Sequence, residues 1–143
     1  MQKLDRRKFI ALENHVKTKG LLANIGPVAR IYLNGTKTPP DELIRDFHCS
    51  KGKQYRVYSP WSIPARVHHA ATKRVGDIIL DGQPGTKFFV RKVEMIGPYH
   101  EGDHGYDYIH PSMHSIFFAR GPSIRPRMVL PPFQNVEYYY LFE

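Results

Sequence analysis

Twelve prolines and eleven glycines spread over 143 residues limit every element this chain can form. Proline removes a backbone donor and glycine weakens helix and strand interiors, so the sequence is cut into short pieces. Phe9 to Val16 is a modest apolar stretch of either type. Pro27 to Leu33, PVARIYL, is rich in β-branched and aromatic residues and predicts a strand closed by Asn34-Gly35. Pro39-Pro40-Asp41 opens a helix, DELIRDFH, with Leu43, Ile44 and Phe47 on one face and Asp41 and Glu42 at the positive end of its dipole. Tyr55 to Tyr58, Asp77 to Leu80, Phe88 to Val93 and Ile116 to Ala119 predict four further strands. Ser62 to Ala71, holding His68-His69, is a turn or short helix. Asn135 is placed as the N-cap of a last helix begun by Val136-Glu137-Tyr138.

Strands and helices therefore mix, and no repeat is visible. The class is α/β or α+β, in one domain, which is what this length supports. DIIL is apolar almost throughout and predicts burial on both faces, as in a sheet covered by helices. Charged and apolar fractions of 24% and 41% are ordinary for a globular chain and argue against bulk disorder. No apolar run is long enough to span a membrane, and MQKLDRRKFI does not have the form of a signal peptide. The net charge of +8 invites a nucleic-acid reading. Its carriers are dispersed, as Arg6-Arg7-Lys8, Lys51/Lys53, Lys73-Arg74, Arg91-Lys92 and Arg125/Arg127, which suits a solvated basic surface better than a specific nucleic-acid site. Cys49 is the single cysteine, which rules out an internal disulfide framework.

Chemistry concentrates in HEGDHGYDYIHPSMH, residues 100–114. His100, Asp103, His104, Asp107, His110 and His114 are all of metal-ligating type. The i, i+4 spacing of His100/His104 and of His110/His114 would share a helix face, but Gly102, Gly105 and Pro111 disfavour a continuous helix. A loop in which glycines on both sides of Asp103-His104 permit a tight turn fits better. The same composition also suits a plain solvated connection.

These residues carry a resemblance. Gly102-Asp103-His104-Gly105-Tyr106-Asp107, then Ser112-Met113, Ile116-Phe117, Ala119 and Gly121-Pro122, and later Pro132-Phe133-x-Asn135-Val136-Glu137-x-Tyr139, resemble the C-terminal part of the catalytic domain of the nucleotide pyrophosphatase/phosphodiesterase family, in the alkaline phosphatase superfamily. Upstream, GPVARIYLN and YRVYSPWSIPARVHHAATKRVGDIILDGQPGTKFFV are similar to that family in order and spacing. The resemblance implies a partial alkaline-phosphatase-like α/β sheet covered by helices and lacking its N-terminal side, with residues 1–143 a fragment of the catalytic domain.

It also implies chemistry. The family uses two zinc ions and a threonine nucleophile to hydrolyse phosphodiester or pyrophosphate bonds of nucleotides, and the histidine of its Gly-x-His-Gly motif is a zinc ligand. Carried over, that role falls on His104. Met1 looks like the methionine of the family's Asp-His-Gly-Met motif, which would put the aspartate, the histidine and the nucleophile ahead of the chain. His100, His110 and His114 are then surface or supporting residues. One imidazole cannot hold zinc tightly, so the chain alone is expected to be inactive. Tyr108 stands where the family usually has Asn, and Ile124 where it usually has an aromatic residue. The Tyr108 departure is expected to weaken the hydrogen bonding that orients the histidine loop.

On this reading Ile116 to Ala119 is a core strand that holds the loop, and a parallel sheet without its first strands predicts poor solubility. The expected partner is a nucleotide or other phosphodiester substrate, with no specific nucleic acid and no membrane segment. The expected location of the family is the cell surface or outside the cell. The competing reading is a non-catalytic basic module that holds anionic partners, which a strong salt dependence of binding would favour.

Overall fold

The computed structural model describes residues 1–14, 22–24, 26–33, 39–47, 54–69, 72–98 and 100–142. Its elements are short, as the proline and glycine content requires. They are β1 (Gln2–Lys3), β2 (Phe9–Ala11), β3 (Leu22–Asn24), β4 (Val28–Tyr32), α1 (Pro40–Phe47), β5 (Tyr55–Tyr58), β6 (Ile78–Gly82), β7 (Lys87–Phe89), β8 (Gly102–Asp103) and α2 (Tyr139–Phe142), with 3₁₀ turns between several of them.

The main sheet has the order β3-β4-β6-β5. β6 sits between β4 and β5, with Ala29 opposite Leu80 on one side and Val57 opposite Leu80 on the other. Every pairing in this sheet is antiparallel. That corrects the expectation of a parallel sheet. Parallel pairing occurs between β2 and β7, where Ile10 stands opposite Phe88. β4 alternates in burial, with Ala29 and Ile31 inward. β6 is buried on both faces, as DIIL predicts: Ile78 and Leu80 point to one side and Ile79 to the other.

One face carries the core. Ile31, Ala29, Ile78 and Leu80 pack with Leu43 and Phe47 of α1, with Ile10 and Leu12, and with Tyr55 and Phe88. The helix forms where the two prolines and the acidic first turn predict it, and Leu43 and Phe47 are its buried residues. The Tyr55 hydroxyl donates to the Phe47 carbonyl at 2.9 Å, which satisfies a buried phenol and joins β5 to the end of the helix. On the other face, Ile79 has Arg30 and Tyr58 directly opposite it. A helical cover is thus present on one face among the described residues.

Two local contacts set the sheet edges. Asp77 Oδ2 accepts the Leu33 N–H at 2.7 Å while the Asp77 N–H donates to the Ile31 carbonyl, so β4 and β6 are tied where they diverge. At the other end Gly82 donates to the Pro27 carbonyl at 3.0 Å. A Cβ at Gly82 would lie 2.5 Å from that oxygen, so only glycine allows the approach.

Three expectations change. Phe88 to Val93 is a strand only through Phe89. The chain then bends into a 3₁₀ turn, Lys92–Ile96, because the Glu94 carboxylate accepts the N–H groups of Val90 and Arg91. Ile116 to Ala119 is extended but joins no strand; Ile116 is 80% and Phe118 88% exposed, and Phe117 alone turns in, against Phe133 and Tyr138. It is therefore not a core strand. Gln134, not Asn135, caps the last turn, and it does so without a side-chain hydrogen bond. The Asn34-Gly35 closure, Cys49, and the ends of the Phe9–Val16 and Ser62–Ala71 readings lie outside the described residues.

Candidate functional site

The histidine loop begins on β8, which pairs antiparallel with β1 in the register Gln2–Asp103 and Lys3–Gly102. Gly102 faces the first residue of the chain: a Cβ there would lie 3.4 Å from Met1 Cβ. The Leu4 N–H donates to the Glu101 carbonyl at 2.9 Å and extends the ribbon by one bond. Two-residue strands are marginal alone, so side chains must hold the loop.

They do so on both flanks of His104. Before it, Asp103 Oδ2 accepts from Lys87 Nζ at 2.8 Å, and Asp103 Oδ1 accepts the His104 N–H at 2.9 Å. Lys87 belongs to β7, so this ion pair fastens the loop to the parallel ribbon. After it, Gly105 adopts φ +94°, a value that L side chains rarely take, and the chain reverses. Tyr106 then enters the core and donates its hydroxyl to the Thr86 carbonyl at 2.8 Å. Burial first, and the Asp103 charge second, push the Tyr106 phenol up to about 12, so it remains a donor at any physiological pH. Thr86 is itself fully buried and donates to the Gln54 carbonyl.

Asp107 ends the motif and is turned inward, its side chain 7% exposed. Arg66 grips both carboxylate oxygens, Nη1 to Oδ1 at 2.7 Å and Nη2 to Oδ2. Arg56 Nη1 approaches Oδ2 at 3.8 Å. The Ile109 N–H also donates to Oδ1, and the His110 N–H donates to the Asp107 carbonyl. The Arg66 hydrogen bonds hold the Asp107 carboxyl below its ordinary range, and the same bonds hold the Arg66 guanidinium in its charged form. Asp81, opposite Arg56 in the sheet, shifts the other way, raised by burial and then by the Asp107 charge. The Arg66 guanidinium also lies over the Tyr108 ring, 5.2 Å from its centroid.

The candidate ligands are therefore not gathered into one centre. Asp103 and Asp107 are each committed to a cation of this chain. His104 is exposed at the tip of the turn, His100 and His114 are exposed, and His110 leads the 3₁₀ turn Pro111–Met113. His68 closes the Ala65–Val67 turn in the left-handed region, and both His68 and His69 face solvent. Among the described residues no group of three or more His, Cys, Asp or Glu side chains could hold a metal ion. What the described residues present is one exposed imidazole, His104, on a braced turn. Arg66 and Lys87, which do the bracing, carry no motif signal; they lie 41 and 16 residues from their partners. The basic run is similarly tied: Asp5 caps the Arg6–Lys8 turn and pairs with Arg7, and Lys8 Nζ donates to the Pro84 carbonyl.

Comparison with known proteins identifies the family. The family model for type I phosphodiesterase / nucleotide pyrophosphatase matches residues 1–107, a span that ends at Asp107. An ectonucleotide pyrophosphatase/phosphodiesterase of Caenorhabditis elegans is 42% identical over 133 residues, 93% of this chain and 17% of that protein. Family member 3 of the ectonucleotide pyrophosphatase/phosphodiesterases from Rattus norvegicus is 31% identical over 102 residues, 71% of this chain and 11% of that protein. Among solved structures, human ectonucleotide pyrophosphatase/phosphodiesterase 5 shares the fold with a TM-score of 0.61 at 21% identity, over 73% of this chain and 27% of that one. The chain thus spans a minor part of the length of the relatives it matches. No described helix is long and apolar enough to cross a membrane. With Gly102 to Asp107, the motif around His104, inside the matched span, this chain belongs to the type I phosphodiesterase / nucleotide pyrophosphatase family.

Proposed function

We propose that residues 1–143 are the C-terminal part of a phosphodiesterase catalytic domain, and that His104 is the ligand this part contributes to a two-zinc centre hydrolysing phosphodiester or pyrophosphate bonds of nucleotides. The observation that carries the reading is the presentation of His104. Its imidazole is exposed while each flanking acid, Asp103 and Asp107, is neutralised by a basic side chain, so of the three the imidazole is left to bind a metal.

Zinc, when bound, would act as a Lewis acid that activates a nucleophile and stabilises charge on the phosphoryl oxygens. The residues of this chain brace the His104 turn on both sides. Lys87 and Arg66 neutralise its two acids, and Tyr106 anchors it. The relatives' names place their substrates among nucleotides and carry the prefix ecto-. We carry both over: a nucleotide phosphodiester substrate, and a site of action at the cell surface or outside the cell.

The test is hydrolysis of p-nitrophenyl thymidine monophosphate with added zinc. The 143-residue chain should show no turnover, and clear turnover would overturn its reading as part of a domain. In a longer protein that contains this segment and retains zinc, His104→Ala should lower zinc content. Unchanged zinc content in that variant would sink the assignment of His104.

A further inference from the structure

We propose that Arg66 is the brace of residues 107–110, the stretch that follows His104 in its loop, and that the Tyr108 ring is a second contact for the same guanidinium. The proposal builds on the reading of His104 as a metal ligand. Arg66 sits in a 3₁₀ turn, Ala65–Val67, far from the motif in sequence. Its fork nevertheless closes on Asp107, three residues beyond His104, and its Cζ lies over the Tyr108 ring. The Asp107 carboxylate in turn accepts the Ile109 N–H, and the Asp107 carbonyl accepts the His110 N–H. One side chain thus orders four consecutive residues after the Gly105 reversal.

The geometry explains why arginine is needed. A bidentate pair fixes the carboxylate plane as well as its distance, and lysine offers only a point charge. Tyr108 departs from the family's usual Asn, and the sequence alone predicts a loosened loop. The ring adds a cation–π contact to the guanidinium that grips Asp107. The other flank is independent. Asp103–Lys87 and Tyr106–Thr86 bind to β7 and its preceding turn, so loss of Arg66 should release residues 107–110 and leave the sheet intact.

The test is amide hydrogen exchange on the 143-residue chain, without metal, comparing the Ile109 and His110 amides with those of β4 and β6 in the same molecule. Arg66→Ala should raise exchange at Ile109 and His110 on the order of tenfold or more, with the sheet amides unchanged. Arg66→Lys should fail to restore protection, Tyr108→Phe should keep it, and Tyr108→Asn should lose part of it. Loop amides that stay at wild-type rates in Arg66→Ala would overturn the proposal. So would loop and sheet rates that rise together, since that is general destabilisation. Because no metal is present, this result bears on the brace alone, whereas zinc retention in His104→Ala bears on the ligand assignment.

Discussion

Ile78 and Ile116 are the same residue in two regions that treat it oppositely. Ile78, in β6, is fully buried between two hydrogen-bonded neighbours, whereas Ile116, in the extended segment after the histidine loop, is 80% exposed. Both lie in apolar surroundings, DIIL in one case and IFFA in the other. The difference lies in what surrounds them in space. β6 has a strand on each side and a helix and a parallel ribbon over one face, while the 116–119 segment has no ladder partner. An apolar run is thus a capacity for burial that the topology must realise. The sheet region is held by packing and the histidine loop by ion pairs, and each should respond to a different perturbation.

The largest expected effect is in the sheet. Leu80→Ala should cost about 2–5 kcal/mol in denaturant unfolding, against less than about 0.5 kcal/mol for Ile116→Ala. Equal costs would erase the contrast between the regions. Gly82→Ala should follow at about 1–3 kcal/mol, because its Cβ meets the Pro27 carbonyl at 2.5 Å and the strand end must shift.

Smaller effects sharpen the comparison through pH. Asp107 has a lowered pKa in the fold, so its contribution is present above the ordinary carboxylate value of 3.8 and is lost as pH falls through the lower folded value. Amides 107–110 should therefore lose protection on acidification before the β4–β6 ladder does, as followed by exchange at successive pH values. Asp81 has the opposite sign. Its folded pKa is raised by burial, so its contribution is fully present below its unfolded value and is lost as pH rises through the folded one. Asp81→Asn should raise the melting temperature at neutral pH and flatten the acid-side gain. The smallest effect on stability is at His104→Ala, within about 0.5 kcal/mol, because the ring is exposed.

Local signals were readable where neighbours along the chain decide the structure. Tyr55 to Tyr58 is a strand with the expected limits, and the Pro39-Pro40-Asp41 start and the Leu43 and Phe47 face of α1 are as the pattern predicts. The turn around His104 follows from its glycines, since Gly105 alone needs positive φ there. What escaped depends on distant pairs. β1 and β8 are two-residue strands about a hundred positions apart, too short to show any periodicity. Arg66 is one basic residue among 21, and only the folded chain selects it as the partner of Asp107. The 116–119 error has the same origin, because β-propensity reports a surface suited to pairing and says nothing of whether an edge is available.

The rings of Phe117, Phe133 and Tyr138 meet with centroids 5.1 to 5.6 Å apart. Their meeting gathers residues 118–132 into a bight closed by a neck of aromatic contacts, with a turn inside it where the Ile124 N–H donates to the Gly121 carbonyl. Lengthening or trimming that bight should alter its reach while leaving the neck, and everything upstream of it, in place.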